Sequence, residues 1–154
     1  MLRRLMALVP FLLVLAGCVG ATSGSSITTT KYGLSEQIPV TVSKPDGPGP
    51  FPAIVIMHDC SGVGPTSSGA PGRWAREFVA RGYVVVIPDS FTSRGHAGGV
   101  CTVPLSQRRT DVSPERRAHD SYGALAYTRA LAYVDGRRVG IMGARTAAQR
   151  PSPR

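Results

Sequence analysis

The sequence predicts an α/β domain in which a mostly parallel sheet is flanked by helices. Three apolar segments, at 52–57, 83–87 and 139–142, lack the alternation of a half-exposed strand, which is typical of strands covered on both faces. Helical segments separate them, so the order strand, helix, strand, helix, strand favours right-handed crossovers. Before them, residues 38–42 alternate as a short edge strand, and a turn-rich segment at 44–50 ends it.

The two helices carry their own start and stop signals. The first is predicted over 72–80, with Trp74 and Phe78 on its apolar face and a glycine after its basic last turn. The second begins at Ser113, where a serine N-cap precedes a proline and a glutamate in the first turn. An apolar stripe then follows along this helix: Ala118, Tyr122, Leu125 and Ala126. Both helices are therefore expected to pack on the sheet through these faces.

The N-terminus has the pattern of an export signal. Residues 1–17 combine a basic start with an apolar run that is too short to span a bilayer, and they end in Leu-Ala-Gly before Cys18. This ending resembles the bacterial lipobox, which implies lipid on Cys18 and a protein anchored on the periplasmic or cell-surface side of a membrane. The alternative is an ordinary secretory signal in which Cys18 is incidental. Residues 18–32 are small and polar and are predicted to be a flexible tether.

The formal net charge of +9 does not by itself indicate a nucleic-acid partner. Two of the arginines lie in the signal segment and three follow Gly143, which leaves +4 for the residues between. These bases are scattered or paired, with no stripe interleaved with aromatic residues, so we expect no nucleic-acid binding. A basic surface-binding protein is retained as a third hypothesis. We expect no cofactor and no metal.

The cysteines of the domain admit two interpretations. Once Cys18 is assigned to the lipid, Cys60 and Cys101 remain in an oxidising compartment. They form either a disulfide or two free thiols, and the distance between their Cα atoms decides between these.

A glycine-rich loop follows the first buried strand and begins with His58, Asp59 and Cys60. Loops at the carboxyl ends of parallel strands build active sites, and the backbone N–H groups of such a loop can stabilise a developing oxyanion. The alternative is a plain strand-to-helix turn. The sequence therefore gives a candidate oxyanion loop.

Four segments together resemble the dienelactone hydrolase family. They are Phe-Pro-Ala-Ile-Val-Ile-Met-His at 51–58, the helix with its glycine at 74–82, the segment ending Pro-Asp-Ser-Phe-Thr-Ser-Arg-Gly at 83–95, and residues 112–143, which begin Val-Ser-Pro-Glu-Arg-Arg. The resemblance implies an α/β-hydrolase fold over residues 33–143 and hydrolysis of a small-molecule ester or lactone.

The resemblance also implies roles for individual residues. The backbone N–H of Cys60 falls where the family stabilises an oxyanion. Asp59 replaces a glycine or glutamate of relatives, and it is either a partner of the nucleophile or a solvated loop acid. Arg94 falls at a position resembling an arginine that binds a substrate carboxylate, with a surface arginine as the alternative. Asp89 is expected to cap its turn.

The nucleophile position departs from the family pattern. After Gly143 a serine or cysteine is expected one residue on, but the sequence has Arg145, whose guanidinium cannot attack a carbonyl. The acid and histidine of the triad follow the nucleophile in this fold and do not occur in 144–154. We therefore expect a domain truncated at this elbow that is inactive as written. The alternative is a non-catalytic anchored module that binds acyl ligands through Cys60 and Arg94, or an unstable fragment.

The tail at 144–154 fits a shifted reading frame. Codons CGC-ACG-GCG-GCN for Arg145 to Ala148, read two bases later, give His-Gly-Gly, and the triplet before them encodes serine if its first base is T. Ser-His-Gly-Gly is the continuation that the family elbow requires. Coincidence is the alternative.

Overall fold

The computed structural model describes residues 25–31, 34–103 and 112–143. Cys18, the signal segment and Arg145 with the rest of the tail lie outside the described residues. Within these residues, no helix has the length and apolar character needed to cross a membrane.

A five-stranded mixed sheet with two helices forms the domain. Its strands are β1 (Ser26–Lys31), β2 (Leu34–Ser43), β3 (Phe51–Met57), β4 (Val84–Pro88) and β5 (Val134–Gly143), and its helices are α1 (Ala70–Ala80) and α2 (Pro114–Ala130). The order across the sheet is β1-β2-β4-β3-β5. β3 is parallel to both β4 and β5, whereas β1 with β2 and β2 with β4 are antiparallel. The predicted α/β class is confirmed, with an antiparallel extension beside the parallel strands.

Part of the predicted tether is a strand. Residues Ser26–Lys31 form β1 and pair with β2, so the expectation of a flexible segment over 18–32 is wrong for these residues. Ile27 and Thr29 lie on the same face of β1, and both are buried. The β-branched residues at 27–30 pack well on the pleated surface of a sheet. As a result β2 lies inside the sheet and is not the short edge strand that the sequence predicts.

The two helices cover opposite faces of the sheet. On the α2 face the core includes Ile38, Val55 and Ala124, whereas on the α1 face it includes Ile56 and Ala75. Because successive residues of β3 alternate between these two clusters, the strand is apolar without alternation.

Helix α2 buries a different face from the one that the sequence predicts. Tyr122, expected in the apolar stripe, is 64% exposed, and the buried positions are Asp120, Ala124 and Thr128. The helix packs so closely on β1 that a Cβ at Gly123 would lie 2.7 Å from the carbonyl oxygen of Thr28. At the contact with β1 the helix therefore presents Gly123, whereas the side chain of Tyr122 faces outward.

Helix termini follow the sequence signals more closely. Ser113 caps α2, its Oγ accepting a hydrogen bond from the amide of Arg116 at 3.2 Å, as the sequence predicts.

In α1 Phe78 packs against the sheet as expected, but Trp74 is 51% exposed, contrary to the prediction. Ala75 takes the buried position beside it.

Candidate functional site

The strand register brings the two candidate site segments together. β3 and β5 are parallel neighbours, and Met57 is the register partner of Gly143. The loop that begins at His58 and the chain after Gly143 therefore leave the same edge of the sheet side by side. Arg145 itself lies outside the described residues.

His58 is fully buried and braces the start of the loop. Its Nε2 accepts a hydrogen bond from the amide of Ser90 at 3.1 Å, and its Nδ1 donates to the carbonyl oxygen of Asp59 at 2.8 Å. Since the carbonyl can only accept, the proton is assigned to Nδ1. Burial lowers the pKa of His58, and its ring packs edge-on against Phe91. The neutral ring thus joins the loop after β3 to the loop after β4.

Asp59 holds the shape of the loop. One carboxylate oxygen accepts the amide N–H of Ser61 at 2.8 Å, and the other accepts the hydroxyl of Ser68 at 2.9 Å. Partial burial raises the pKa of Asp59, but the hydrogen bonds from Ser61 and Ser68 outweigh it and leave the pKa below its ordinary value. Asp59 is therefore an ionised side chain committed to its own loop.

Cys60 and Cys101 are joined by a disulfide, with their Cα atoms 4.8 Å apart. The carbonyl oxygen of Cys60 accepts the amide of Val100 at 2.7 Å, which adds a backbone link between the same two loops. Among the described residues, the backbone N–H of Cys60 has no acceptor. That N–H is the group to which the family resemblance gives a role in stabilising an oxyanion.

Arg94 does not present its guanidinium to a ligand. Its side chain is 3% exposed and donates to the carboxylates of Glu36 and Asp120 and to the carbonyl oxygen of Ser90, at 2.7 to 3.1 Å. These bonds occupy its five N–H donors. The two carboxylates and the hydrogen bonds outweigh desolvation and raise the pKa of Arg94. The expected role in binding a substrate carboxylate is corrected: Arg94 ties β2 to α2.

Neither acid of this network is marked by a pattern in the sequence. Burial raises the pKa of Glu36, but Arg94 and Arg116, which both donate to it, together hold that pKa below its ordinary value. Asp120, on the buried face of α2, is 0% exposed. Glu36 lies in β2 and Asp120 in α2, so only the fold brings them together.

Arg117 is a second residue that sequence reasoning missed. Its guanidinium donates to the carbonyl oxygen of His58 and lies over the ring of Phe91, 5.1 Å from the centroid. Burial lowers the pKa of Arg117. It also lines a cavity of about 250 Å³ between α2 and the ends of β3 and β5, which reaches Met57 and Gly143. In the sequence it is only one of several paired arginines.

Other polar residues near the site have structural roles. Asp89 caps its turn as predicted, its Oδ1 accepting the amides of Phe91 and Thr92 at 3.0 Å. Over the described ranges, no group of three His, Cys, Asp or Glu side chains is arranged to hold a metal ion.

The family model for the dienelactone hydrolase family matches residues 38–144. The chain belongs to the dienelactone hydrolase family. The match ends one residue past Gly143, where the sequence departs from the elbow pattern. No curated protein sequence matches this dienelactone hydrolase family member.

Solved structures share the fold of this family member. A protein described as a dienelactone hydrolase from Klebsiella pneumoniae subsp. pneumoniae MGH 78578 superposes with a TM-score of 0.51 at 18% identity, over 78% of this chain and 48% of its own. The esterase Est22 superposes with a TM-score of 0.53 at 16% sequence identity, over 77% of this chain and 33% of its own. A 2,6-dihydroxy-pseudo-oxynicotine hydrolase superposes with a TM-score of 0.51 at 17% sequence identity, over 78% of this chain and 29% of its own. The chain thus spans about half or less of these hydrolases.

Proposed function

We propose that residues 38–143 are the N-terminal part of a hydrolase that cleaves a small-molecule ester or lactone. The observation that supports the proposal is the pairing of Met57 with Gly143, because the candidate oxyanion loop follows Met57 and the elbow position follows Gly143 in the sequence. Family membership supports the reaction class. The substrate itself is a small molecule that enters at this edge of the sheet.

In the proposed reaction, the loop after β3 stabilises charge. A nucleophile after Gly143 attacks the carbonyl carbon, and the backbone N–H of Cys60 donates to the oxyanion of the tetrahedral intermediate. Asp59 and His58 fix that N–H through the bonds they make within the loop and to Ser90. They act as positioning residues.

We propose that the 154-residue sequence does not perform this reaction. Arg145 occupies the nucleophile position, and its guanidinium cannot attack a carbonyl. Without a nucleophile, positioned N–H groups alone do not complete acyl transfer. The alternative of acyl-ligand binding through Cys60 and Arg94 is less well supported, because Arg94 has no donor left.

A frameshift after Gly143 accounts for this combination, and we propose it as the origin of the tail. The nucleotide sequence tests the idea directly. The alternate frame is expected to read Ser-His-Gly-Gly followed by an open stretch that encodes an Asp and a His. A frame that lacks these residues contradicts the proposal.

Hydrolysis of an activated aryl ester tests the function. We expect no turnover above background from the 154-residue chain, and turnover from a chain continued in the alternate frame. The matched control replaces the restored serine by alanine and is expected to abolish turnover. Turnover by the 154-residue chain, or none by a folded continued chain, contradicts the proposal.

We also propose that the mature protein is a lipoprotein anchored through Cys18 on the exported side of a membrane. The Leu-Ala-Gly-Cys pattern supports this. Radiolabelled fatty acid is expected to enter the wild-type protein but not a Cys18→Ser variant. Equal labelling of the two, or none of either, contradicts anchoring and favours an ordinary secretory signal.

A further inference from the structure

The Cys60–Cys101 disulfide joins two loops whose backbones are in close contact. A Cβ at Gly99 would lie 2.6 Å from the carbonyl oxygen of Cys60, and one at Gly64 would lie 2.6 Å from the carbonyl oxygen of Ala97. Segment 96–103 therefore lies directly on the oxyanion loop, which is residues 58–64. Glycine is required where the backbones approach this closely.

Apart from the disulfide, the two loops are held by different kinds of contact. The oxyanion loop is held by Asp59, by the buried ring of His58 and by Arg117, all through contacts that do not involve segment 96–103. Segment 96–103 bonds to the oxyanion loop through the amide of Val100, and Val100 packs with Cys60 and Phe91. The amide of His96 also donates to the carbonyl oxygen of Phe91 at 3.0 Å, so backbone bonds and apolar packing hold this segment. Loss of the disulfide should loosen segment 96–103 first.

The two cysteines of the disulfide also differ in their exposure to solvent. Cys60 is 4% exposed and belongs to a small apolar cluster with Phe91 and Val100, whereas Cys101 is exposed. A thiolate attacks the sulfur that it can reach. The accessible position is therefore Cys101, and Cys60 is the leaving group.

We propose that Cys101 is a thiol-exchange site through which a dithiol reductant releases segment 96–103 from the oxyanion loop. A thiolate of the dithiol bonds to the Cys101 sulfur, the disulfide breaks, and Cys60 leaves as a thiolate that takes up a proton. The second thiol then attacks the mixed disulfide and releases Cys101. The dithiol loses two electrons to become a cyclic disulfide, and the protein disulfide gains them as two thiols. The catalytic role of the oxyanion loop rests on the proposed function, whereas the exchange itself does not.

Thiol mapping tests the site of attack on the full chain. The native protein is treated briefly with 2-mercaptoethanol, quenched with acid and digested with trypsin, which places Cys18, Cys60 and Cys101 on three different peptides. The mercaptoethanol adduct is expected on Cys101 in at least tenfold excess over Cys60. Equal adducts, or an excess on Cys60, overturn the proposal.

Hydrogen exchange tests the release. With the dithiol dithiothreitol, amides in 96–103 are expected to exchange at least tenfold faster, while amides of β4 keep their protection. A Cys60→Ser/Cys101→Ser variant is expected to match the reduced protein without reductant. Unchanged exchange in 96–103, or equal loss of protection in β4, overturns the proposal. Neither measurement uses ester turnover, so failure of the proposed function leaves these results unaffected.

Discussion

At the scale of the residue, the buried arginine Arg94 shows how burial redirects a charged side chain. Two acids and one carbonyl oxygen occupy its donors, and its side chain is 3% exposed. A buried ion pair contributes little net stability against an apolar replacement of both partners, but removal of one partner leaves a buried charge without compensation. Arg94 is thus expected to matter for folding.

We expect Arg94→Met to lower the free energy of unfolding by about 3 kcal/mol, because Asp120 stays buried without its partner. Urea denaturation measures this. The matched control is Arg81→Met, which removes an exposed ion pair with Glu77 and is expected to cost less than about 1 kcal/mol. Equal losses from the two variants would contradict the interpretation.

A second residue-scale prediction concerns pH. Burial lowers the pKa of His58 in the folded state, so the unfolded chain binds the proton first as pH falls below about 6.5. His58 thus reduces stability as pH falls from about 6.5 through its folded pKa, by up to about 1.4 kcal/mol per pH unit. The carboxyl groups of Glu36 and Asp59, whose pKa values are also lowered, act in the same direction at lower pH.

Urea denaturation at pH 7.5, 6.5 and 5.5 tests the histidine. Stability of the wild type is expected to fall across this range, and a His58→Asn variant, which keeps a donor and an acceptor, is expected to lose most of the slope. An unchanged slope in a folded variant would assign the pH dependence to other groups.

At the scale of the element, the packing of α2 on β1 depends on the absence of a side chain. Ala is a better helix former than Gly, but a Cβ at Gly123 would lie 2.7 Å from the carbonyl oxygen of Thr28. In α1, a Cβ at Gly72 meets nothing nearer than the Arg76 guanidinium at 3.9 Å. The same substitution should therefore have opposite signs in the two helices.

We expect Gly72→Ala to raise the free energy of unfolding by about 0.5 to 1 kcal/mol, and Gly123→Ala to lower it by about 1 to 3 kcal/mol. Thermal or urea denaturation of both variants measures the difference. If Gly123→Ala is neutral or stabilising, α2 does not approach β1 as closely as described.

At the scale of the whole molecule, the strand order leaves β5 at one edge of the sheet. Among the described strands β5 pairs with β3 alone, and Ile141 is 44% exposed. An edge strand with an exposed apolar side chain is a template for pairing with other chains.

Association through this edge is therefore expected, and a charge on β5 should reduce it. Light scattering of Ile141→Lys at high protein concentration should show less aggregate than the wild type. The control is Tyr122→Lys, which adds the same charge at an exposed position of α2. Equal reductions by the two variants would indicate that net charge, and not the strand edge, controls association.

The sequence by itself determined the family, the buried strands β3 and β4, the cap at Ser113 and the position of the candidate loop. These features depend on local chemistry, such as apolar runs, turn residues and capping groups, which a short stretch of chain displays. Family membership follows from the spacing of such segments.

Only the tertiary structure decided the role of Arg94, the inclusion of Ser26–Lys31 in the sheet and the buried face of α2. Each depends on residues far apart in the chain. The role of Arg94 depends on Glu36 and Asp120, and the formation of β1 depends on its pairing with β2 and its packing on α2. The exposure of Tyr122 follows from the close approach of α2 to β1. A local pattern shows which groups must be buried or paired. The fold determines which partner is within reach, because neutralisation and close packing act through space and not along the sequence.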